Sequence, residues 1–252
     1  MIFKLHFTKY EEPEMNGLTD FIFPDENGFK GTVLDNYLEN GFYRMQYYLF
    51  TTNQTHLDIE SESVPVFWLR IPVRICKENK AATIIRKKAS HFSVTFCTAV
   101  ITDEINELYG LYFNSINFEA AESCSSYLHD EGLQNPFNSL MVQVRDELKL
   151  IAVGYFDVGT NAMAGILNFY HPEYKKYSLG KLLMLAKKDF SHANNISYYY
   201  LGYLSTQTTK FDYKIFPDKE AVEVLLPLEK KWISYTSTCK EKLQEYFEKN
   251  ML

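Results

Sequence analysis

Two lysines and a tyrosine lie close together in the segment Lys-Phe-Asp-Tyr-Lys at residues 210–214. Lys210 and Lys214 are four residues apart and flank Tyr213. Lysine ammonium groups bind phosphates and the oxyanions that develop in acyl transfer. We therefore interpret these three residues as candidate catalytic groups, with an ordinary solvated surface as the alternative.

A glycine stands between two tyrosines in the segment Tyr-Leu-Gly-Tyr, where Tyr200, Gly202 and Tyr203 share a β-rich stretch. On a regular strand, residues 200 and 202 share one face and residue 203 lies on the other. Gly202 leaves room for a close approach of a ligand or another backbone segment. The tyrosines are candidates for a catalytic cleft, and packing in the core is the alternative.

Other single residues suggest roles in orienting substrates. Asp157 ends a predicted strand and either orients an amine or caps the following turn. Ser178 is a typical helix N-cap and a candidate substrate contact, and His171 is a weaker candidate for proton transfer. No Ser/His or Cys/His pair occurs in a recognisable context, so the sequence does not predict a nucleophilic triad.

The basic residues form two islands on an acidic chain. The formal net charge is −6, which argues against nucleic-acid binding over the whole surface. Residues 70–90 carry 7 Lys/Arg against 1 Asp/Glu, and residues 171–214 carry 7 against 3. We predict that the islands are two walls of a cleft for a polyanion, with solvated surface as the alternative. The candidate substrate-binding residues of the first island are Arg70, Arg74, Arg86, Lys87 and Lys88.

The elements that position these residues are clearest after residue 147. The pattern predicts a hairpin with strands at 147–157 and 162–170, a helix from 178 to 193 and a strand at 196–203. Upstream, it predicts a helix at 32–44 and strands at 45–51, 64–75 and 91–101. Pro65 and Pro72 favour an edge strand or a bulge in the third of these segments. Helices are predicted at 103–128 and 238–250, and further strands at 221–228 and 232–237.

The four cysteines predict reduced thiols. Cys76, Cys97, Cys124 and Cys239 form no C-x-x-C pair, so we expect neither a disulfide nor a structural metal. The chain shows no secretory pattern at its start and no apolar run of about 18 residues, so we expect a cytoplasmic protein that does not interact with membranes.

Five short blocks between residues 157 and 214 resemble the C-terminal domain of arginyl-tRNA–protein transferases and bacterial aspartate/glutamate leucyltransferases. The blocks keep the order and the spacing of the family pattern. Tyr177 stands where the family has an arginine, and the N-terminal cysteine motifs of the family are absent. The blocks are Asp157-Val158, Phe169-Tyr170-His171-Pro172, Ser178-Leu179-Gly180, Tyr200-Leu201-Gly202-Tyr203 and Lys210-Phe211-Asp212-Tyr213-Lys214.

The resemblance implies an α+β architecture. It consists of an acetyltransferase-like (GNAT-type) domain at residues 103–252 and a smaller mixed domain at residues 1–102. The implied activity is transfer of an arginyl or leucyl group from aminoacyl-tRNA to the N-terminal α-amine of an acceptor protein. Aminoacyl-tRNA would be a co-substrate, and no cofactor is expected.

Two other functions stay open at this point. One is an acyl-CoA-dependent N-acetyltransferase, although the helix at residue 178 begins with a single glycine instead of a glycine-rich phosphate-binding turn. The other is a non-catalytic relative that binds protein N-termini or RNA.

Overall fold

An apolar run in the middle of the chain forms the most deeply buried strand. Eight consecutive residues of Lys149–Val158 are buried, which is the pattern of a strand covered on both faces. Its neighbours on either side are antiparallel strands, and a turn at residues 159–161 connects it to the second of them. The predicted hairpin is therefore confirmed.

The computed structural model describes residues 19–57, 63–118, 120–128, 135–235 and 239–251. Its strands are Thr19–Ile22 (β1), Tyr43–Met45 (β2), Tyr48–Thr52 (β3), Gln54–His56 (β4), Ser63–Pro72 (β5), Ser93–Thr98 (β6), Ser139–Asp146 (β7), Lys149–Val158 (β8), Ala162–Tyr170 (β9), Tyr198–Ser205 (β10), Glu223–Leu226 (β11) and Lys231–Ser234 (β12). Its α-helices are Thr32–Glu39 (α1), Lys80–Lys88 (α2), Asp103–Phe113 (α3), Ser125–Leu128 (α4), Leu179–Ala193 (α5) and Cys239–Asn250 (α6).

The large sheet has the strand order β12-β11-β5-β10-β9-β8-β7-β6, with β4 also paired to β5. Of the two alternatives predicted for β5, the edge strand is wrong, because β5 lies between β10 and β11. Its pairing with β10 does contain a bulge, on the β10 side at Leu201. Its prolines are accommodated near its two ends, at Pro65 and Pro72. A small sheet, β1-β3-β2, stands beside the large one.

The division into domains at residue 102 stays a prediction. Strands β5 and β6 precede that position, and both belong to the same sheet as β7 to β12. The sheet itself therefore crosses the predicted boundary.

Helix α5 packs on the sheet through an apolar stripe. Leu179, Leu182, Leu183 and Ala186 recur at helical spacing and are buried in the main core. The order hairpin, helix and returning strand confirms the α+β, acetyltransferase-like prediction. No helix in the described part of the chain is long and apolar enough to cross a membrane.

The turn between β8 and β9 is held by helix α1. The carboxylate of Asp35 accepts backbone hydrogen bonds from Thr160, Asn161 and Ala162 at 3.1, 2.8 and 3.0 Å. Gly159 is required in the same turn, because a Cβ at that position would lie 2.0 Å from the Asp35 carboxylate. The N-terminal part of the chain thus fixes one end of the hairpin.

Strands β9 and β10 are parallel neighbours that separate after a short contact. They pair only from Ala162 to Ala164 and from Tyr198 to Tyr200. At the point of separation, the Tyr43 hydroxyl lies 2.6 Å from the Gly165 carbonyl oxygen and 3.1 Å from that of Tyr200. One phenol from β2 therefore serves two carbonyls on strands that no longer bond to each other.

We expect Tyr43→Phe to lower the free energy of unfolding by about 1–3 kcal/mol, because it leaves buried carbonyls without their donor. Urea unfolding followed by circular dichroism measures the change. Tyr48→Phe is the matched control, since in the described part of the chain the Tyr48 hydroxyl forms a hydrogen bond with the Met45 sulfur alone, at an exposed position. Equal stability of the two variants would contradict this role for the Tyr43 hydroxyl.

Candidate active site

A cleft of about 720 Å³ opens where β9 and β10 separate. One wall comes from these two strands, and others come from helices α3 and α4, the β2–β3 hairpin and the first turn of α5. The residues that these strands contribute are Gly165, Ile166, Leu167, Asn168 and Tyr170 from β9 and Tyr199, Leu201, Gly202 and Tyr203 from β10.

Both strands are bulged beside the cleft. The register of β8 with β9 shifts opposite Ile166, and the register of β10 with β5 shifts at Leu201. A bulge inserts an extra residue and interrupts the alternation of faces. Consecutive residues of β10 therefore line the cleft, which regular alternation does not allow.

The Lys214 amine lies at the bulge of β10. Its Nζ atom donates to the Tyr203 carbonyl oxygen at 3.1 Å and is 4.4 Å from the centre of the Tyr203 ring. Gly202 has φ = 87°, and a Cβ there would lie 3.0 Å from the same amine. The room that glycine provides is thus occupied by Lys214. Removal from water lowers the pKa of Lys214 to about 7.

A second buried lysine, Lys187, occupies the other bulge and was not predicted. Its amine donates to the Tyr155 carbonyl at 2.7 Å and to Asn168 Oδ1 at 2.9 Å. Burial lowers its pKa to about 7, and the charge of Asp157 opposes this change. The available signal was its position on α5, four residues after buried Leu183. A glycine opposite it, Gly154, leaves the space that its side chain fills.

The predicted catalytic residues fall into two groups. Tyr203, Tyr213 and Lys214 line the cleft, and the Tyr213 side chain is 52% exposed. Lys210 is exposed, and its amine donates to the Leu57 carbonyl at 3.1 Å, so it does not line the cleft.

Tyr200 is buried and does not line the described cleft, so its predicted catalytic role receives no geometric support. Its hydroxyl is 3.2 Å from a Glu39 carboxylate oxygen and 3.4 Å from the Arg70 guanidinium. The bulge at Leu201 brings Tyr200 and Tyr203 to the same face of the sheet, opposite Arg70 and Trp68, and of the two tyrosines Tyr203 is the one that lines the cleft.

Asp157 also lies behind the cleft and not in it. Its carboxylate forms a 2.8 Å ion pair with Arg44 and accepts a hydrogen bond from the Ser139 hydroxyl, and both charged side chains are 1% exposed. Burial raises the pKa of Asp157 and lowers that of Arg44, while their mutual attraction opposes both changes. The predicted contact of Asp157 with an amine substrate is therefore replaced by support of Arg44, which does line the cleft.

The 70–90 island contributes none of its predicted residues to the described lining of the cleft. Arg70 is neutralised by Glu39 and Glu223, and Arg86 pairs with Asp189 at 2.7 Å. Arg74, Lys87 and Lys88 do not line the cleft either. The two-wall prediction therefore receives no support from the described cleft, and the substrate-binding role of this island stays a prediction. The cations that do line the cleft are Arg44, Lys175, Lys181 and Lys214.

Ser178 lines the cleft at the start of α5, together with Gly180. The predicted side-chain cap is wrong: Ser178 has φ = 55°, and its hydroxyl makes no capping hydrogen bond. Its predicted contact with substrate stays a prediction.

The Nδ1 atom of His171 is buried and has no hydrogen-bond partner among the described residues, and a Glu173 carboxylate oxygen lies 3.8 Å from it. Burial lowers the pKa of His171, and the charge of Lys149 lowers it further. It does not line the described cleft, so its weaker prediction as a proton-transfer group receives no geometric support.

In the described part of the chain, no three His, Cys, Asp or Glu side chains form a group able to hold a metal. Cys76, Cys97 and Cys124 are free thiols. The prediction that the protein needs no metal or cofactor is not tested by this geometry and stays a prediction.

Residues 104–220 match the family model described as arginine-tRNA-protein transferase, C terminus. This part of the chain belongs to that family. The match includes β7 to β10, α5 and the Lys214 segment, and so contains most of the cleft. The family predicted from the five sequence blocks is thereby confirmed.

Relatives of this family differ in how much of their length is matched. Arginyl-tRNA–protein transferase 1 of Saccharomyces cerevisiae is 35% identical over 78 residues, which are 31% of this chain and 16% of the yeast enzyme. The aspartate/glutamate leucyltransferase of Pseudomonas syringae pv. tomato is 26% identical over 208 residues, which are 80% of this chain and 84% of the relative. Among solved structures, the ribosomal-protein-S18-alanine N-acetyltransferase of Escherichia coli aligns at 14% identity with a TM-score of 0.31, covering 41% of this chain and 63% of the other.

The free energy of unfolding should rise between about pH 7 and 9.5, because the unfolded lysines keep their protons up to about pH 10.4 whereas folded Lys187 releases its proton near 7. In this window the unfolded state binds more protons, so stability increases with pH. Lys187→Met should reduce this increase of the free energy of unfolding with pH. Lys214, whose pKa is also about 7, should account for part of the increase that the variant retains.

Denaturant unfolding at several pH values measures this slope, with exposed Lys176→Met as the control that keeps the parent's rise. An unchanged slope in a folded Lys187→Met variant would show that Lys187 keeps its proton in the native protein.

Proposed function

We propose that this chain transfers an aminoacyl group from aminoacyl-tRNA to the N-terminal α-amine of an acceptor protein. The observation that carries the proposal is an amine with a pKa of about 7, that of Lys214, inside a cleft between two separating strands. Membership of residues 104–220 in the transferase family supports the reaction class. The cationic lining and the name of the Pseudomonas relative support an acceptor that begins with aspartate or glutamate.

The reaction needs little activation of either substrate. The neutral α-amine attacks the carbonyl carbon of the aminoacyl ester, a C–N bond forms, and the C–O bond to the terminal ribose breaks. The nitrogen loses one proton, and the ribose oxygen gains one and leaves as a hydroxyl. An α-amine titrates near about 7.7–8.0, so a useful fraction is neutral at physiological pH.

Lys214 is placed to move that proton. With a pKa of about 7, its amine is substantially neutral at physiological pH and accepts a proton from the attacking nitrogen. As an ammonium, it then donates to the leaving ribose oxygen. Its contact with the Tyr203 carbonyl holds the amine against the strand edge while leaving its other hydrogen-bonding positions for substrate.

The remaining groups of the cleft position the substrates. Tyr203 and Tyr213 line the same cleft as Lys214, and in this proposal their hydroxyls serve as donors to the ester oxygen. The Tyr203 hydroxyl also lies 3.4 Å from the Thr55 hydroxyl. Lys175 and Lys181 flank Ser178 at the start of α5, where they bind a phosphate of the tRNA 3′ end. Lys210, outside the cleft on an adjacent segment, extends this basic surface.

Two alternatives lead to different measurements. An acyl-CoA-dependent acetyltransferase transfers acetyl groups without tRNA, and a non-catalytic relative binds N-termini or RNA without turnover. Incubation of the protein with labelled aminoacyl-tRNA or labelled acetyl-CoA, together with peptides that differ only in their first residue, distinguishes all three functions.

We expect Lys214→Met to lower the transfer rate by roughly ten- to a thousandfold while the protein stays folded. The parent's rate should rise as the pH increases through about 7, and the variant should keep only the later rise that comes from the acceptor amine. Single-turnover transfer from labelled aminoacyl-tRNA measures both effects.

Lys214→Arg separates proton transfer from charge, because arginine keeps the positive charge and does not release its proton near neutral pH. If the Lys214→Arg variant transfers as slowly as Lys214→Met, Lys214 acts as a proton acceptor. If Lys214→Arg transfers at the parent rate, the role of Lys214 is purely electrostatic. Exposed Lys219→Met is the control that retains the parent rate, and a Lys214→Met variant as fast as that control would remove Lys214 from the site.

A further inference from the structure

We infer that the cleft accepts an uncharged, apolar aminoacyl side chain of the leucyl kind and excludes a cationic one of the arginyl kind. This inference rests on the proposed aminoacyl transfer and assigns its donor specificity. It is carried by the aromatic wall of the cleft and by the distribution of charge around it.

Four aromatic rings form a continuous wall centred on Trp68. The Tyr43 ring stacks on the indole at 5.2 Å with an interplanar angle of 17°. Phe50 and Tyr203 approach it edge-on, with centroid distances of 5.5 and 5.3 Å. All four residues line the cleft next to Leu201, the residue bulged out of β10. Such a surface stabilises aliphatic groups by removing them from water.

The charges that line the cleft all have one sign. Among the described residues that line it, four are basic and none is an aspartate or glutamate. Arg44 is partly offset by the carboxylate behind it, and Lys214, with its lowered pKa, carries only part of a charge near neutral pH. Lys175 and Lys181 have no acidic neighbour in the described lining. A guanidinium that enters this space would lose water and gain repulsion.

Aromatic rings can attract cations, so the wall alone does not exclude arginine. Two arginines of this protein contact aromatic rings, and both are also paired with carboxylates. The first, Arg70, lies over the rings of Tyr198 and Trp232 at 4.1 and 4.4 Å and is paired with Glu39 and Glu223.

Arg44 lies 4.3 Å from the centre of the Phe137 ring and is paired with Asp157. In both places the ring contact is accompanied by a carboxylate. The described lining of the cleft has aromatic rings but no carboxylate. It therefore suits an apolar aminoacyl side chain and not the guanidinium of an arginyl group.

The test uses the full chain, one acceptor peptide that begins with aspartate, and one tRNA body charged in turn with leucine, citrulline or arginine. Citrulline has nearly the size and shape of arginine without its charge. We expect leucine to be transferred fastest, citrulline more slowly, and arginine about a hundredfold more slowly than leucine. Faster transfer of citrulline than of arginine would assign the exclusion of arginine to its charge.

A carboxylate placed in the cleft should change this preference. Gln46 lines the cleft at the β2–β3 hairpin, and Gln46→Glu adds a negative charge without a change in size. We expect it to raise the ratio of arginyl to leucyl transfer about tenfold. Exposed Gln207→Glu, outside the cleft, is the matched control and should leave the ratio unchanged.

The outcomes distinguish this inference from the proposed function. Arginyl transfer as fast as leucyl transfer, or faster, overturns the specificity and leaves the transferase activity in place. An equal response of the ratio to both glutamate variants overturns the assignment to the cleft. Absence of transfer from any charged tRNA overturns the proposed function and this inference with it.

Discussion

The separation of two parallel strands is the constraint on which the site depends. Once β9 and β10 stop pairing, their facing carbonyls need donors from elsewhere, because a buried carbonyl without a partner is costly. Tyr43 provides one hydroxyl for two of them, and Lys214 provides an amine for a third. The two side chains that donate hydrogen bonds to these carbonyls, Tyr43 and Lys214, thus also line the cleft.

Two bulges explain why two lysine amines, those of Lys187 and Lys214, bind carbonyl oxygens of one sheet. Each bulge exposes carbonyl oxygens that the regular ladder would have used, and each lysine amine binds one or more of them. These contacts are made with neutral carbonyls, so they only partly replace the water that each ammonium loses. The pKa of each lysine falls for this reason, and the site gains an amine close to neutrality without a neighbouring catalytic acid.

The sequence predicted the parts of the fold that depend on local pattern. The β8–β9 hairpin and α5 follow from apolar runs and helical spacing, and Tyr203, Tyr213 and Lys214 were correctly expected beside one another. The surroundings of Tyr200 could not be predicted, because its hydroxyl contacts Glu39 and Arg70, which lie 161 and 130 residues away along the chain. The neutralisation of Arg70 depends on Glu39 and Glu223, which lie 31 and 153 residues away along the chain. Lys187 was not predicted, because it lies among the apolar residues of α5 and the sequence shows no partner for a buried lysine there.

The central position of β5 has a consequence for how the chain folds during synthesis. This strand is made early, yet it pairs with β10, and Arg70 and Tyr200 are 130 residues apart. Until β10 and β11 leave the ribosome, the apolar β5 has only β4 to pair with, at its first three residues, and the rest of both its edges is unpaired. Such a state favours association with other chains. Contacts at this separation also slow folding. The cleft can therefore form only after β10 and the Lys214 segment have been synthesised.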